Sequence, residues 1–252
     1  MVNGRRVASG FVGGVAALIV AGCSGTEPDR PAADVTSAPS PTSAESPSVA
    51  PTSAGPAKAI PAGIPDSAFL QESDAPEKAK EKPNRLDSDG NALPAFCKAG
   101  YEQKDQVGVR GTELLLIASK DATEGSTPKA AVYENVIVYK GAGATEFMTD
   151  LRAAVRGCAS QKEDNGVTAK NFLRGSIGAG DDSELIERTR PATDDAGEPI
   201  DNQVNQVFWA AVRQGDTIAF VSNGGWESGS AEKSDTVTLA TRAATRVKAW
   251  RG

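Results

Sequence analysis

Residues 131–158 read AVYENVIVYKGAGATEFMTDLRAAVRGC. The first ten alternate. Val132, Val136 and Val138 fall on one side of an extended chain, and Tyr133, Ile137 and Tyr139 on the other. Successive side chains of a strand point to opposite faces, so this stretch predicts a strand over 131–140 that is apolar on both. Gly141-Ala142-Gly143 then changes the period. Ala144, Phe147, Met148, Leu151 and Val155 recur at helical spacing, which predicts a helix over 145–156. Gly157 is a natural stop, and Arg152 and Arg156 lie toward the negative end of the helix dipole.

Upstream, 106–119 holds Val107, Val109 and Leu114-Leu115-Leu116-Ile117, a second strand. The polar connection 120–129 makes a long hairpin of the two. Still earlier, residues 65–70 read as a short helix capped by Asp66 or Ser67 and docked by Phe69 and Leu70. Residues 74–92 are charged and read as a surface loop. Downstream, 167–173, 184–189, 203–213 and 217–222 read as strands, the last two joined by the turn Gln214-Gly215-Asp216. A closing helix is predicted over 232–250, with Leu239, Ala243, Val247 and Trp250 on one stripe. Strands in runs argue for an α+β domain: an antiparallel sheet of about six strands covered by two main helices.

The composition restricts the chemistry. The 252 residues contain no histidine, so no Ser-His-Asp or Cys-His constellation and no imidazole metal site can form. With 27 Lys and Arg against 33 Asp and Glu, the formal charge is −6 and no long basic block is present. Nucleic-acid binding and electrostatic adhesion to anionic lipid are therefore not expected.

The amino-terminal stretch has a different character. Arg5 and Arg6 precede an apolar run from Phe11 to Ala21, shorter than the ~20 residues of a membrane-spanning helix. The run ends in Val20-Ala21-Gly22-Cys23, which resembles a bacterial lipobox. This resemblance implies a signal peptide over 1–22 and a diacylglyceryl anchor on Cys23, two acyl chains at one residue giving stable membrane attachment. Residues 24–62 contain 8 Pro, 11 Ser or Thr and 9 Ala without any aromatic residue, too little apolar surface to offset ordering entropy. Residues 23–62 therefore read as a disordered, lipid-anchored stalk, and 63–252 as one domain.

Three cysteines, one of them committed to lipid, leave the pair Cys97 and Cys158. In an exported chain a structural disulfide is expected, with two free thiols or a redox pair as alternatives. The C-x-x-C spacing of redox pairs is absent.

Other motifs are weaker. Gly141-Ala142-Gly143 lacks the third glycine and the Lys-Ser/Thr of phosphate loops and reads as a tight turn. Asp87-Ser88-Asp89-Gly90 lacks the further ligands of a calcium loop. Asn223-Gly224-Gly225-Trp226-Glu227 places an aromatic ring and polar groups on a glycine-rich turn. Exposed, this turn would suit recognition by stacking and hydrogen bonds; buried, Trp226 plugs the end of the sheet, and the buried reading is favoured, as it is for Tyr133, Tyr139 and Trp209 on their strands. Asn223, Trp226, Glu227 and Tyr139 are the candidate ligand-binding residues under the exposed reading. No catalytic residue, metal ligand or cofactor is identified.

The pieces FLQESD (69–74), LPAFC (93–97), 133–158, ELIERT (184–189), GGWES (224–228) and KAWRG (248–252) together resemble the sensor-like lipoproteins of actinobacteria. These are similar to the extracellular sensor domain of PknH-type mycobacterial serine/threonine kinases. The likeness covers about three quarters of the chain and rests on structural motifs. It implies an extracytoplasmic domain that binds an unidentified ligand in a cleft. The kinase-linked domains carry two disulfides, whereas this chain has cysteines for one, and no kinase domain accompanies it. The expected function is a non-catalytic ligand-binding or sensing lipoprotein, whose partners are the membrane and an unknown small ligand or envelope protein. The alternatives are a scaffold of an envelope complex and a hydrolase using carboxylates such as Glu184 or Glu187.

Overall fold

The computed structural model describes residues 58–86, 93–163, 166–194, 198–226 and 229–252. The expected signal peptide, Cys23, most of the stalk, the Asp87–Gly90 turn and Glu227 lie outside the described residues. Among the described residues, nine strands form one sheet: β1 (Lys78–Ala79), β2 (Asn84–Leu86), β3 (Val107–Ala118), β4 (Ala130–Tyr139), β5 (Ser160–Lys162), β6 (Thr168–Gly175), β7 (Asp182–Thr193), β8 (Pro199–Gln214) and β9 (Thr217–Gly225). The long helices are α1 (Gly143–Gly157) and α2 (Lys233–Arg251). The expected α+β class holds, with more strands than expected.

The spatial order is β1-β3-β4-β9-β8-β7-β6-β5, with β2 also pairing β3, and every pairing is antiparallel. The β3–β4 hairpin forms as predicted. The chain then crosses through α1 to the far edge, and β5 to β9 return strand by strand until β9 lies against β4. Gly141, at φ 56°, makes the turn from β4 toward α1 in the left-handed region that a side chain disfavours. The strands missed by sequence reading, β1, β2 and β5, are two or three residues long and polar, so they carry no periodic signal.

The two sides of β4 belong to two cores. Val132 and Val136 join Leu115, Ile117, Phe208, Ala210, Val212, Ala219 and Val221 beneath α2. Ile137 and Tyr139 join Ile186, Trp209, Ala211, Ile218 and Phe220 beneath α1. The sheet is thus the middle layer of three. Helix α2 presents Leu239, Ala240, Ala243 and Val247, whose small side chains let it lie close to the strands. Helix α1 presents Phe147, Met148, Leu151 and Val155, each contributing about 1.5–3 kcal/mol of apolar burial. Residues 58–60, read from composition as stalk, pack on the domain. The Arg251 Nη1 donates to the Ala59 carbonyl at 3.2 Å, and Lys58 bonds the Arg251 carbonyl.

Beneath α1 the segment 93–101 is held by Phe96, which meets Trp209 edge to face at 5.8 Å, and by the disulfide Cys97–Cys158. The expected pairing is therefore present. The Arg188 guanidinium lies over Trp209 and Phe96 and donates to Asn171 Oδ1 at 2.7 Å and the Ala95 carbonyl at 2.9 Å. The disulfide spans 61 residues, a loop whose closure removes about 4 kcal/mol of unfolded-state entropy. The Cys97→Ala/Cys158→Ala variant is expected to lose ~2–4 kcal/mol in urea unfolding. An unchanged midpoint and slope would show that the bridge carries no stability.

Candidate functional site

Between residue 60 and β1, the chain lays a strap across the sheet on the α2 side. It opens with a 3₁₀ turn at Asp66–Ala68, preceded by Pro65 and lacking the side-chain cap expected from Asp66 or Ser67. Phe69 and Leu70 are buried in the core, as expected. A second 3₁₀ turn, Glu72–Asp74, follows, and the Gln71 N–H donates to Asp74 Oδ2 at 2.7 Å. Asp74 pins the strap to α2. Its carboxylate bonds Arg246, and its carbonyl accepts from Arg242 Nη1 at 2.5 Å.

Under the strap lie two acids. Register places Glu113 of β3 directly opposite Glu134 of β4. Glu134 is 1% exposed and Glu113 4%. Side chains so paired stand with Cβ atoms ~4.5–5.5 Å apart. The Leu70 N–H donates to Glu134 Oε2 at 2.7 Å, while Oε1 of both acids is buried without a hydrogen-bond partner among the described residues. Burial is the main cause pushing the Glu134 carboxyl up to about 8; Glu113 and Asp74 reinforce it, and the Leu70 N–H and Arg246 oppose it. Burial likewise pushes Glu113 up to about 7, with Asp66 adding to the rise and Arg85 and Arg246 opposing it. Two such groups titrate as a unit and retain a proton at neutral pH.

A cavity borders the strap on each side. The one toward β2, about 460 Å³, is lined by Asp66, Glu72, Lys82, Arg85 and Glu113 among others. The one toward α2, also about 460 Å³, is lined by Ser67, Asp74, Arg242, Arg246 and Trp250 among others. Both have the size of small-molecule sites, and perturbed carboxyls beside a cleft mark a functional-site candidate.

The structure does not assemble the ligand set read from the sequence. Asn223 is 1% exposed, and its Nδ2 donates to Thr236 Oγ1 of α2 at 3.0 Å. Tyr139 is buried beneath α1, where its hydroxyl donates to the Glu102 carbonyl at 2.9 Å and burial holds the phenol well above its usual pKa. These two residues therefore serve opposite faces of the sheet. Trp226 is half-buried just past β9, its indole N–H enclosed with no acceptor among the described residues. Trp209 is core, with Nε1 donating to Ser222 Oγ at 2.8 Å, and Tyr133 is half-buried.

Glu184 and Glu187 are also separated, because their positions on β7 differ by an odd number. Glu184 turns toward α1, where Arg152 Nε donates to it at 2.9 Å. Glu187 lies on the opposite face and accepts from Arg174 Nε at 2.6 Å and Gln206 Nε2 at 2.9 Å. Sequence reading missed Glu113 and Glu134. The available signal was an acid in the middle of the apolar run 131–139.

Among the described residues, no group of three or more Cys, Asp or Glu side chains is placed to hold a metal ion, and no helix is long and apolar enough to cross a membrane. No protein-family model matches the chain, and no curated protein matches it. Among solved structures it is similar to the crystal structure of the extracellular domain of PknH from Mycobacterium tuberculosis. The two share 11% sequence identity and a TM-score of 0.49 over 73% of this chain and 94% of that one. This is a distant structural resemblance.

The carboxyl pair sets a pH dependence. Between the ordinary value of 4.5 and about 8 the folded state holds more protons than the unfolded chain. Stability from the pair is complete below that window and is lost as pH rises through it. The full chain is expected to melt at a lower temperature at pH ~8.5 than at pH ~5.5, and Glu113→Gln/Glu134→Gln is expected to flatten the difference. An equally steep profile in the double variant would remove the pair as its cause.

Proposed function

We propose that this chain is a non-catalytic, extracytoplasmic ligand-binding or sensing domain, displayed in the cell envelope on a tether anchored by acylated Cys23. The observation that carries the binding reading is the strap, seated on a buried carboxyl pair and bordered on both sides by cavities of ligand size. A ligand in either cavity would touch the strap directly, so occupancy and strap position would be coupled.

The arrangement of acids favours binding over hydrolysis. Glycoside cleavage needs two carboxyls flanking a substrate, ~5–9 Å apart. Glu113 and Glu134 stand side by side, and the Leu70 N–H occupies one oxygen of Glu134. Glu184 and Glu187 are engaged by arginines on opposite faces. Export is supported by the lipobox-like stretch ending at Cys23 and by the disulfide, a bond that persists in oxidising compartments.

A scaffold reading draws on a different feature. On the amino-terminal side of Phe208, β8 pairs with β7 and, at Gln206, bonds Ser230 and Ala231; among the described residues this ribbon carries Val204, 55% exposed. A partner protein could dock there.

A thermal-shift screen of the purified full chain against cell-wall fragments, lipids and small metabolites separates the two. At least one small ligand is expected to raise the melting temperature. If none does while crosslinking in cells captures a protein through the ribbon, the scaffold reading replaces this one. Anchoring has its own test: Cys23→Ala is expected to release the protein or leave it unprocessed, and unchanged mass and membrane retention would overturn the lipid anchor.

A further inference from the structure

Arg85 and Glu113 are register partners across the β2–β3 ladder, on the face beneath the strap. Opposite charges so placed ordinarily pair, yet among the described residues no ion pair or hydrogen bond joins these two. The Arg85 guanidinium instead lies over the Phe69 ring, 3.6 Å from its centroid. Gly111 makes room for this. A Cβ there would stand 2.6 Å from Arg85 Nη2 and 2.9 Å from Phe69 Cζ. Glu113, nearly fully buried, keeps Oε1 without a partner. Both residues line the β2-side cavity, with Lys82 on the cationic side and Asp66 and Glu72 on the anionic side. The cavity is thus lined by separated opposite charges, and beside it Glu113 Oε1 is a buried acceptor with no partner among the described residues.

We propose that this cavity binds a small zwitterion, an α-amino acid or a close relative, with its ammonium on Glu113 and its carboxylate on Arg85 and Lys82. The assignment rests on reading the strap region as a ligand site and names the ligand class. An anion alone would meet Glu113, Asp66 and Glu72, and a cation alone would meet Arg85 and Lys82. A zwitterion satisfies both sets with charge-assisted hydrogen bonds. Its charges are only a few ångströms apart, matching the ~5 Å spacing of cross-strand neighbours. The volume of about 460 Å³ leaves room for a side chain.

The charged groups facing Glu113 are Asp66 from the strap, Arg85 from β2, Glu134 from β4 and Arg246 from α2. Because burial raises Glu113 to about 7, ammonium binding takes the proton off this carboxyl. Affinity therefore rises with pH through neutrality, and binding releases a proton.

Isothermal titration calorimetry of the purified full chain with each standard L-amino acid tests this. At least one is expected to bind, more tightly at pH ~8 than at pH ~6. Its amide, which keeps only the ammonium, and its deaminated acid, which keeps only the carboxylate, are each expected to bind about tenfold more weakly or worse. Glu113→Gln and Arg85→Gln are expected to lose about tenfold in affinity while retaining the wild-type circular dichroism spectrum. Binding of the amide or the acid as tightly as the amino acid overturns the proposal on wild-type protein alone, whatever the variants do. Wild-type affinity in both folded variants also overturns it, as does the absence of binding by any amino acid. If another ligand class raises the melting temperature while no amino acid binds, only the zwitterion assignment fails. If no ligand of any class binds, the binding reading fails with it.

Discussion

The central strands are buried on both faces, and that constraint shapes everything else in the domain. Val136, Ile137, Val138 and Tyr139 are consecutive and all inaccessible, as are Ile218, Ala219, Phe220 and Val221 on the neighbouring strand. Since successive side chains alternate, no single layer can cover them. The chain supplies two lids. Helix α2 and the strap close one face, and α1 with the disulfide-held segment closes the other. A sheet buried on both sides leaves its polar residues without water, so each needs an internal solution. Thr112 and Asn135 find one beneath α1. Asn135 Oδ1 accepts from Thr112 Oγ1 at 2.9 Å and from Arg110 Nη2 at 2.7 Å.

Glu113 and Glu134 find a different solution, and it gives the strap its character. Two ionised carboxylates side by side in an apolar layer would repel strongly, so the pair holds a proton. Leucines at these positions could fill the space without that requirement. With acids there, the closure that Phe69 and Leu70 drive by burial is tied to a protonation state and to the Leu70–Glu134 hydrogen bond. The strap follows directly on residues 58–60, which pack near the end of α2. The same short stretch therefore meets the carboxyl pair and borders both cavities.

Legibility in the sequence followed periodicity. The β3–β4 hairpin, both long helices and the return strands were readable because Val, Ile, Leu and Phe recur at a period of two or near 3.6. In the strand 131–140 the alternation carries through to the fold, with Val132 and Val136 in one core and Ile137 and Tyr139 in the other, while Tyr133 stays half-buried. The edge strands at Lys78–Ala79, Asn84–Leu86 and Ser160–Lys162 were not readable, because the neighbouring strand makes them, not their own composition. The candidate site failed for a related reason. Asn223 and Trp226 drew attention as polar and aromatic residues near a turn, but parity directs Asn223 under α2 and Tyr139 under α1. Glu113 and Glu134 are far apart in the chain, and the hairpin register makes them neighbours. That register follows from the hairpin already drawn. Counting outward across the ladder from Glu134 would have led to Glu113, and one strand further to Arg85.

The cross-strand row Arg85–Glu113–Glu134 also bears on how a binding event could be transmitted. A ligand shifts a conformational equilibrium only by its differential affinity for the two states. Here the difference has a physical source. An ammonium on Glu113 stabilises the ionised form of one acid, and the remaining proton is then held by Glu134, which also accepts the strap's Leu70 N–H. A ligand that engages Arg85 competes for a guanidinium that otherwise covers Phe69, the strap's other buried anchor. Both ends of such a ligand thus act on contacts that keep the strap down. Sensing through this row needs no movement of the sheet, whose central strands are fixed on both faces, and the strap, as the element touched by both cavities, is the part that would respond.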